Sequence, residues 1–295
     1  MLRDDWQLTD DVHDFLARAG DFLRSRPAVH NTPLTDLEKL RTRGAEPYGA
    51  EANVLGRLDS GGETRAVFYR TPRGYLSITP LSAEQTGTLA AHLAGLGHRP
   101  SGVIADHDTA TAFADAWQRH TGAAPTPFWR THLYRLGTLT PPRPHPEGRR
   151  RVASAQDHEQ VVRWCREFCV DVGEQTSIDL IDAGSWADSR FGDRHFTFWE
   201  APDGTPVSMA AATSIVAGMI RVDPVYTPAH LRGHGYAAAV TVEVSRAALA
   251  AGATDLVLYT DPTNPTSNAL YQRLGYVRIA DFTGYKFSYG TPEAA

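Results

Sequence analysis

Apolar residues recur at helical spacing in some stretches of the chain and alternate with polar ones in others, and these two patterns follow a definite order. In the first half the spacing predicts helices over Asp10–Arg24 and Leu34–Arg43, the second stopped by Gly44. Strands follow at Thr64–Arg70 and Tyr75–Thr79, joined by the turn Thr71-Pro72-Arg73-Gly74. Next come a helix over Ala83–Leu96, a short strand at Gly102–Ala105, a helix at Thr109–His120 and a strand at Phe128–Leu136. The second half opens with a strand at Arg151–Ala153 and a helix over Asp157–Val172, which carries Val161, Val162, Trp164, Cys165, Phe168 and Cys169 on one face. A helix at Leu180–Arg190 is followed by strands at His195–Glu200, Pro206–Ile215 and Gly218–Thr227, with Asp203-Gly204 turning the first hairpin. The series closes with a helix at Tyr236–Ala251, a strand at Asp255–Thr260, a helix at Ser267–Leu274 and strands at Tyr276–Ile279 and Tyr285–Tyr289. This succession predicts an α/β protein, a mixed and partly parallel sheet with helices on its faces.

Between the halves runs TLTPPRPHPEG, whose four prolines fit neither a helix interior nor a central strand. It predicts a connector over 138–149 between domains 1–137 and 150–295, and a length of 295 residues suits two domains. The halves echo each other. Trp117-Gln118-Arg119 ends a helix before a glycine turn as Tyr271-Gln272-Arg273 does before Gly275, which predicts an internal repeat whose first copy has lost its chemistry. Trp117, Phe128 and Trp129 are read as core aromatics of that first copy, with a roof over the acceptor cleft as the alternative.

Composition narrows the function classes. With 42% hydrophobic and 21% charged residues the chain is of ordinary globular type. Its apolar runs are far shorter than the roughly 20 residues of a membrane span, and its acidic start has no secretory apolar run, so a cytoplasmic protein without a membrane partner is expected. A net charge of −5 argues against a nucleic-acid partner, and the one basic run, Arg149-Arg150-Arg151, reads as a solvated linker end. Cys165 and Cys169 read as small apolar residues on a buried helix face rather than a disulfide or metal ligands, and no metal is expected. A monomer or a homodimer is consistent with all of this.

The informative segment is Val225-Tyr226-Thr227-Pro228-Ala229-His230-Leu231-Arg232-Gly233-His234-Gly235-Tyr236-Ala237, set between a strand and an Ala/Val-rich helix. Two glycines one apart at a helix start let successive N–H groups converge on one point, and the helix dipole behind them suits a pyrophosphate. Arg232 can add a charge-assisted contact. A plain strand-to-helix turn is the alternative. The second segment runs from Tyr259 to Tyr276, where Thr266 or Ser267 can cap a helix that puts Asn268 and Tyr271 on one face.

Together these segments resemble the GNAT acyl-CoA transferase superfamily. Its motif Gln/Arg-x-x-Gly-x-Gly/Ala is matched by His230-Leu231-Arg232-Gly233-His234-Gly235, with a departure at the first position. Its Asn-then-Tyr helix is matched from Asn264 to Tyr276. The similarity covers Arg151 to Phe287, and the whole chain resembles a bacterial subgroup of predicted acetyltransferases with a degenerate N-terminal GNAT-like half.

The resemblance implies a tandem GNAT fold and acetyl-CoA as co-substrate, with a small-molecule amine or amino acid as acceptor. It implies that the strand at Val225, Tyr226 and Thr227 splays from its neighbour to meet the pantetheine amides. The backbone of Arg232, Gly233, His234, Gly235, Tyr236 and Ala237 would hold the pyrophosphate, and Asn264 or Asn268 would contact the cofactor arm. Tyr271 would serve as general acid to the leaving thiolate, a role that a phenol of pKa near 10 can fill. Asp223 and Glu174 are the candidate bases, with Glu200 read as exposed and a water chain as the alternative to all three. The competing readings are an acyl-CoA sensor that transfers nothing and a tRNA-dependent aminoacyl transferase. The second would call for a basic groove and a broken pyrophosphate turn, and this chain shows neither.

Overall fold

The computed structural model describes residues 5–44, 53–71 and 74–290, which fall into two compact units, Met1–Leu133 with Ile279–Ala295, and Tyr134–Arg278. The expected connector at 138–149 therefore lies inside the second unit, and the chain beyond Arg278 is part of the first. Pro72 and Arg73 of the expected turn lie outside the described residues.

The first unit runs β1 (Asp5–Thr9), α1 (Val12–Ser25), α2 (Asn31–Arg43), β2 (Val54–Ser60), β3 (Glu63–Arg70), β4 (Leu76–Ile78), α3 (Ala83–Gly95), β5 (Gly102–Asp106) and α4 (His107–Thr121), followed by β6 (Ala124–Leu136). Strands β1 to β4 are antiparallel neighbours in order, and β5 lies parallel to β4. Residues Phe282–Lys286 of the last strand, β12 (Tyr276–Ser288), pair antiparallel with β5. Phe68, Leu89, Phe113, Trp117 and Phe287 form the core of this unit. Phe128 and Trp129, expected there, are each 38% exposed.

The second unit repeats the same succession. It runs β7 (Arg149–Val152), α5 (His158–Val172), α6 (Gln175–Asp182), β8 (His195–Glu200), β9 (Pro206–Ala212), β10 (Met219–Tyr226), α7 (Tyr236–Ala250), β11 (Asp255–Thr260) and α8 (Pro265–Arg273). Strands β7 to β10 are again antiparallel in order and β11 is parallel to β10. The helices cover both faces. Trp164, Cys165 and Cys169 of α5 pack on Phe198, Met209 and Tyr226, while Val240 of α7 packs with Trp199, Val222, Leu258 and Tyr271. A strand covered on both faces must be apolar or small throughout, which is why β9 is built on Met209-Ala210-Ala211-Ala212.

Four expectations are corrected. Strands β1 and β2 were not anticipated, because Leu55 and Leu58 break the alternation a strand would show. The helix expected at Leu180–Arg190 lies at Gln175–Asp182 and stops where Gly184, at φ 74°, takes the left-handed conformation. The two closing strands are one, β12. Glu200, expected to be exposed, is 4% exposed and ion-paired with Arg149 and Arg151, so that triplet belongs to the edge strand β7 and not to a linker, with Arg149 and Arg150 themselves exposed.

Candidate active site

Strands β10 and β11 pair only from Met219↔Asp255 to Arg221↔Val257. Beyond that point β10 stays with β9, through an irregularity between Val222 and Val225, and leaves β11. The splay therefore opens alongside Val225 and Tyr226. Not all of this backbone is free. The Ser208 hydroxyl donates to the Tyr226 carbonyl at 3.1 Å, and the Thr227 carbonyl accepts from Arg232 Nε at 3.0 Å. The Tyr226 hydroxyl points away to α5, where it donates to Glu167 at 2.8 Å.

The turn that follows has the geometry of an anion cradle. Gly233 and Gly235 sit at φ 84° and 82°, and Gly235 is the residue immediately before α7. The first helical bond runs from Ala239 N–H to the Gly235 carbonyl, so the N–H groups of Gly233 to Ala237 have no acceptor among the described residues. A Cβ placed on Gly233 would meet no atom within 4 Å. Two left-handed residues around one amide, in open space at the start of a 15-residue helix, suit a diphosphate. The His234 ring bonds back to the Leu231 and Arg232 carbonyls and stacks on Tyr236. The Arg232 guanidinium is held by Asp171 at 2.6 Å, so its backbone and not its side chain faces the turn's task.

Asn264 and Asn268 serve the local fold. Asn264 caps α8 by accepting from Ser267 N–H at 3.0 Å, the position expected for Thr266 or Ser267. Asn268 donates to the carbonyls of Asp261 and Asn264, each at 2.9 Å, and its Oδ1 accepts from Thr260 at 2.5 Å and Tyr134 at 3.3 Å. Both donors and the acceptor oxygen are thus engaged in closing the loop between β11 and α8.

Tyr271 is 7% exposed and packs edge-on against Tyr276. Burial pushes its phenol well above the usual tyrosine range, and the charges of Tyr276 and Asp223 push the same way. It is a protonated donor at neutral pH.

The two carboxylates proposed as bases meet on one side chain absent from the expected site. Arg190 Nε lies 3.0 Å from Glu174 Oε2, and its Nη2 lies 3.1 Å from Asp223 Oδ1. Its guanidinium rests on Phe191 and Phe168, with centroids at 4.8 and 5.6 Å. Ser177 donates to the other Glu174 oxygen at 2.5 Å, and Arg194 Nη2 stands 3.8 Å from the other Asp223 oxygen. Asp223 lies where β10 leaves β11, so this cluster borders the splay.

Residues 158–276 match the Acetyltransferase (GNAT) family. The chain carries a GNAT acetyltransferase domain. Over nearly its whole length it is similar to a GCN5-related N-acetyltransferase from Sphaerobacter thermophilus, at 17% identity and TM-score 0.56, covering 97% of this chain and 96% of that one. It is likewise similar to a tandem GNAT protein from the clavulanic acid biosynthesis pathway, at 12% identity and TM-score 0.57, covering 98% and 100%. A GNAT-family acetyltransferase from Colwellia psychrerythraea aligns at 10% identity and TM-score 0.55, covering 96% and 100%. At these identities the likeness is one of fold. No curated protein matches the sequence.

Within the GNAT domain, sequence reasoning missed Arg190 and Arg194. They stand at helical spacing, Arg-Phe-Gly-Asp-Arg, in a stretch that is not helical beyond a short turn at Trp186–Asp188. Only the stop at Gly184 hinted that the chain turns there. No helix among the described residues is long and apolar enough to cross a membrane, and no three His, Cys, Asp or Glu among them gather in a metal-binding group.

Proposed function

We propose that the GNAT domain binds acetyl-CoA along the splay and the Gly233–Gly235 turn and passes its acetyl group directly to a primary amine of a small molecule or amino acid. The observation that carries this reading is a coincidence in space and sequence. The strand whose pairing breaks after Arg221 leads, through six residues, into the turn whose amides are left open. A thioester carries its acyl carbon already activated, so direct transfer needs an amine, a proton acceptor for it and a donor for the departing sulfur, and no nucleophilic side chain. Tyr271 is suited to donate, being neutral at every physiological pH. Asp223 and Glu174 are suited to bind an ammonium and to pass its proton to water. Neither cysteine is suited to take the acyl group, since burial holds both thiols far up, Cys169 at about 12.

One observation favours an acyl-CoA sensor instead. Both candidate bases are ion-paired with Arg190, which leaves neither at liberty. Calorimetry with coenzyme A and free-thiol release from acetyl-CoA over a panel of amines separate the two. Binding with turnover supports transfer, binding without turnover on any amine supports the sensor, and no binding refutes both.

We infer further that the first unit is a GNAT-like copy that does not take the nucleotide. Its counterpart of the glycine turn is Thr79-Pro80-Leu81-Ser82, where Ser82 and Gln85 satisfy each other's backbone N–H groups in a capping box. Those amides are occupied by the protein itself.

A further inference from the structure

Against the first turn of α5 lies a cavity of about 260 Å³, whose walls include Ser154, His158, Trp186, Phe191, Arg194 and His195. Among the described residues that line it there is an arginine and there are two histidines, but no aspartate or glutamate. The Arg194 side chain is only 1% exposed. Its Nη1 donates to Asp193 at 2.8 Å, its Nη2 stands at a loose 3.8 Å from Asp223, and its buried Nε has no partner among the described residues. A guanidinium removed from water with so few acceptors is costly unless an anion completes its shell. Burial first, and the neighbouring Arg221 charge second, pull this arginine below its ordinary pKa. The site is thus short of negative charge on the cavity side.

Arg194 is also a shared wall. It lines the cavity, and its Nη2 stands 3.8 Å from Asp223 at the mouth of the splay. An anion bound there would stand next to the strand that holds the acyl group, and the rings of Trp186 and Phe191 would receive an apolar body attached to it. We propose that the acyl acceptor is an amine that also carries a carboxylate, and that Arg194 reads this carboxylate within the cavity. The inference rests on the acyl-transfer reading above and names the acceptor class for it. A planar guanidinium discriminates well here, because a substrate lacking the carboxylate leaves it buried and unpaired.

The test uses the full chain and paired acceptors, each an L-amino acid and its C-terminal amide, with an aminophosphonate as a third arm. Thiol release should favour the carboxylate member by about 10-fold or more in kcat/KM. A preference for the aminophosphonate would overturn the carboxylate assignment. Arg194→Gln should erase the advantage while the coenzyme A dissociation constant stays put. Since that residue is buried, His158→Glu is the second variant. It places a carboxylate in the cavity wall at a helix start that welcomes one, and it should depress the amino acid and spare the amide. If the wild type binds coenzyme A but shows no turnover, binding of N-acetyl amino acids against their amides to the coenzyme-loaded protein replaces the rate. Equal use or equal binding of the two members, or variants that weaken both alike, overturns the inference. Failure to bind coenzyme A at all would instead bring down the reading beneath it.

Discussion

Glu174 and Asp223 are held by the same guanidinium, Arg190 lying 3.0 Å from the one and 3.1 Å from the other. Neither carboxylate is fully solvated, with side chains 29% and 19% exposed, so each depends on that cation. Arg190→Met would strand both and should lower stability by about 1–3 kcal/mol, read from urea unfolding. Because the cluster borders the splay, the acceptor KM should rise in the folded variant while coenzyme A affinity holds. A variant with unchanged KM would show Arg190 to be a structural strut alone.

Tyr271 makes a separate prediction. Burial keeps its phenol protonated, so Tyr271→Phe removes a donor and leaves the packing against Tyr276 in place. Turnover should fall by up to about 10²-fold with the acetyl-CoA dissociation constant nearly unchanged. A large rise in that constant would mark the tyrosine as a binding residue instead. The sign of the pH dependence also follows. A folded pKa raised above 10 gives stability that is complete below pH 10 and lost as pH rises through the folded value, and Tyr271→Phe should soften this alkaline limb.

Gly235 tests the cradle. A Cβ there would meet only Pro146, at 3.8 Å, so the unliganded protein has room for one. Its φ of 82°, however, is a region β-branched residues avoid. Gly235→Val should cost about 1–3 kcal/mol in folding and abolish coenzyme A binding by calorimetry, since the side chain projects where phosphate oxygens must approach. Retained affinity in the folded variant would reduce the turn to a connection.

The sequence disclosed different parts of this molecule unequally. The shape of the glycine turn was legible because it is local, two glycines and a helix start within a few residues. The helices α5 and α7 were legible from periodicity. The loop bonds of Asn264 and Asn268 were not, because a side chain that caps or clamps its own loop has the same sequence appearance as one that awaits a ligand. Arg190 and Arg194 escaped for a deeper reason. Their meaning comes from β10, which the chain reaches only after a hairpin, and no pattern within a window of residues could bring Asp223 to them. The strands β1 and β2 were missed in the same way, their apolar residues being placed by neighbours and not by alternation.

Asn268 turns that lesson into a measurement. With both amide hydrogens on loop carbonyls and its oxygen on Thr260 and Tyr134, Asn268→Ala should destabilise by about 2–3 kcal/mol. Asn264→Ala, which removes only a cap, should cost about 1 kcal/mol. If either residue instead held the cofactor arm, its loss would show in coenzyme A affinity with stability intact.

Arg151 sets the acid limit of the fold. Its guanidinium bonds Asp157 through both Nη atoms, at 2.7 and 2.8 Å, and Glu200 through Nε at 2.5 Å. These bonds hold the Asp157 carboxyl well below the usual carboxylate range and lower that of Glu200 as well. A folded pKa below the unfolded one gives stability that is present above about pH 4 and lost as pH falls through the folded values. Arg151 is itself 34% exposed, so solvent screens part of the gain. Arg151→Gln should therefore cost about 2 kcal/mol at pH 7 and flatten the decline in stability below pH 4. Urea unfolding at a series of pH values reads both effects, and an unchanged acid limb would place the acid sensitivity elsewhere in the chain.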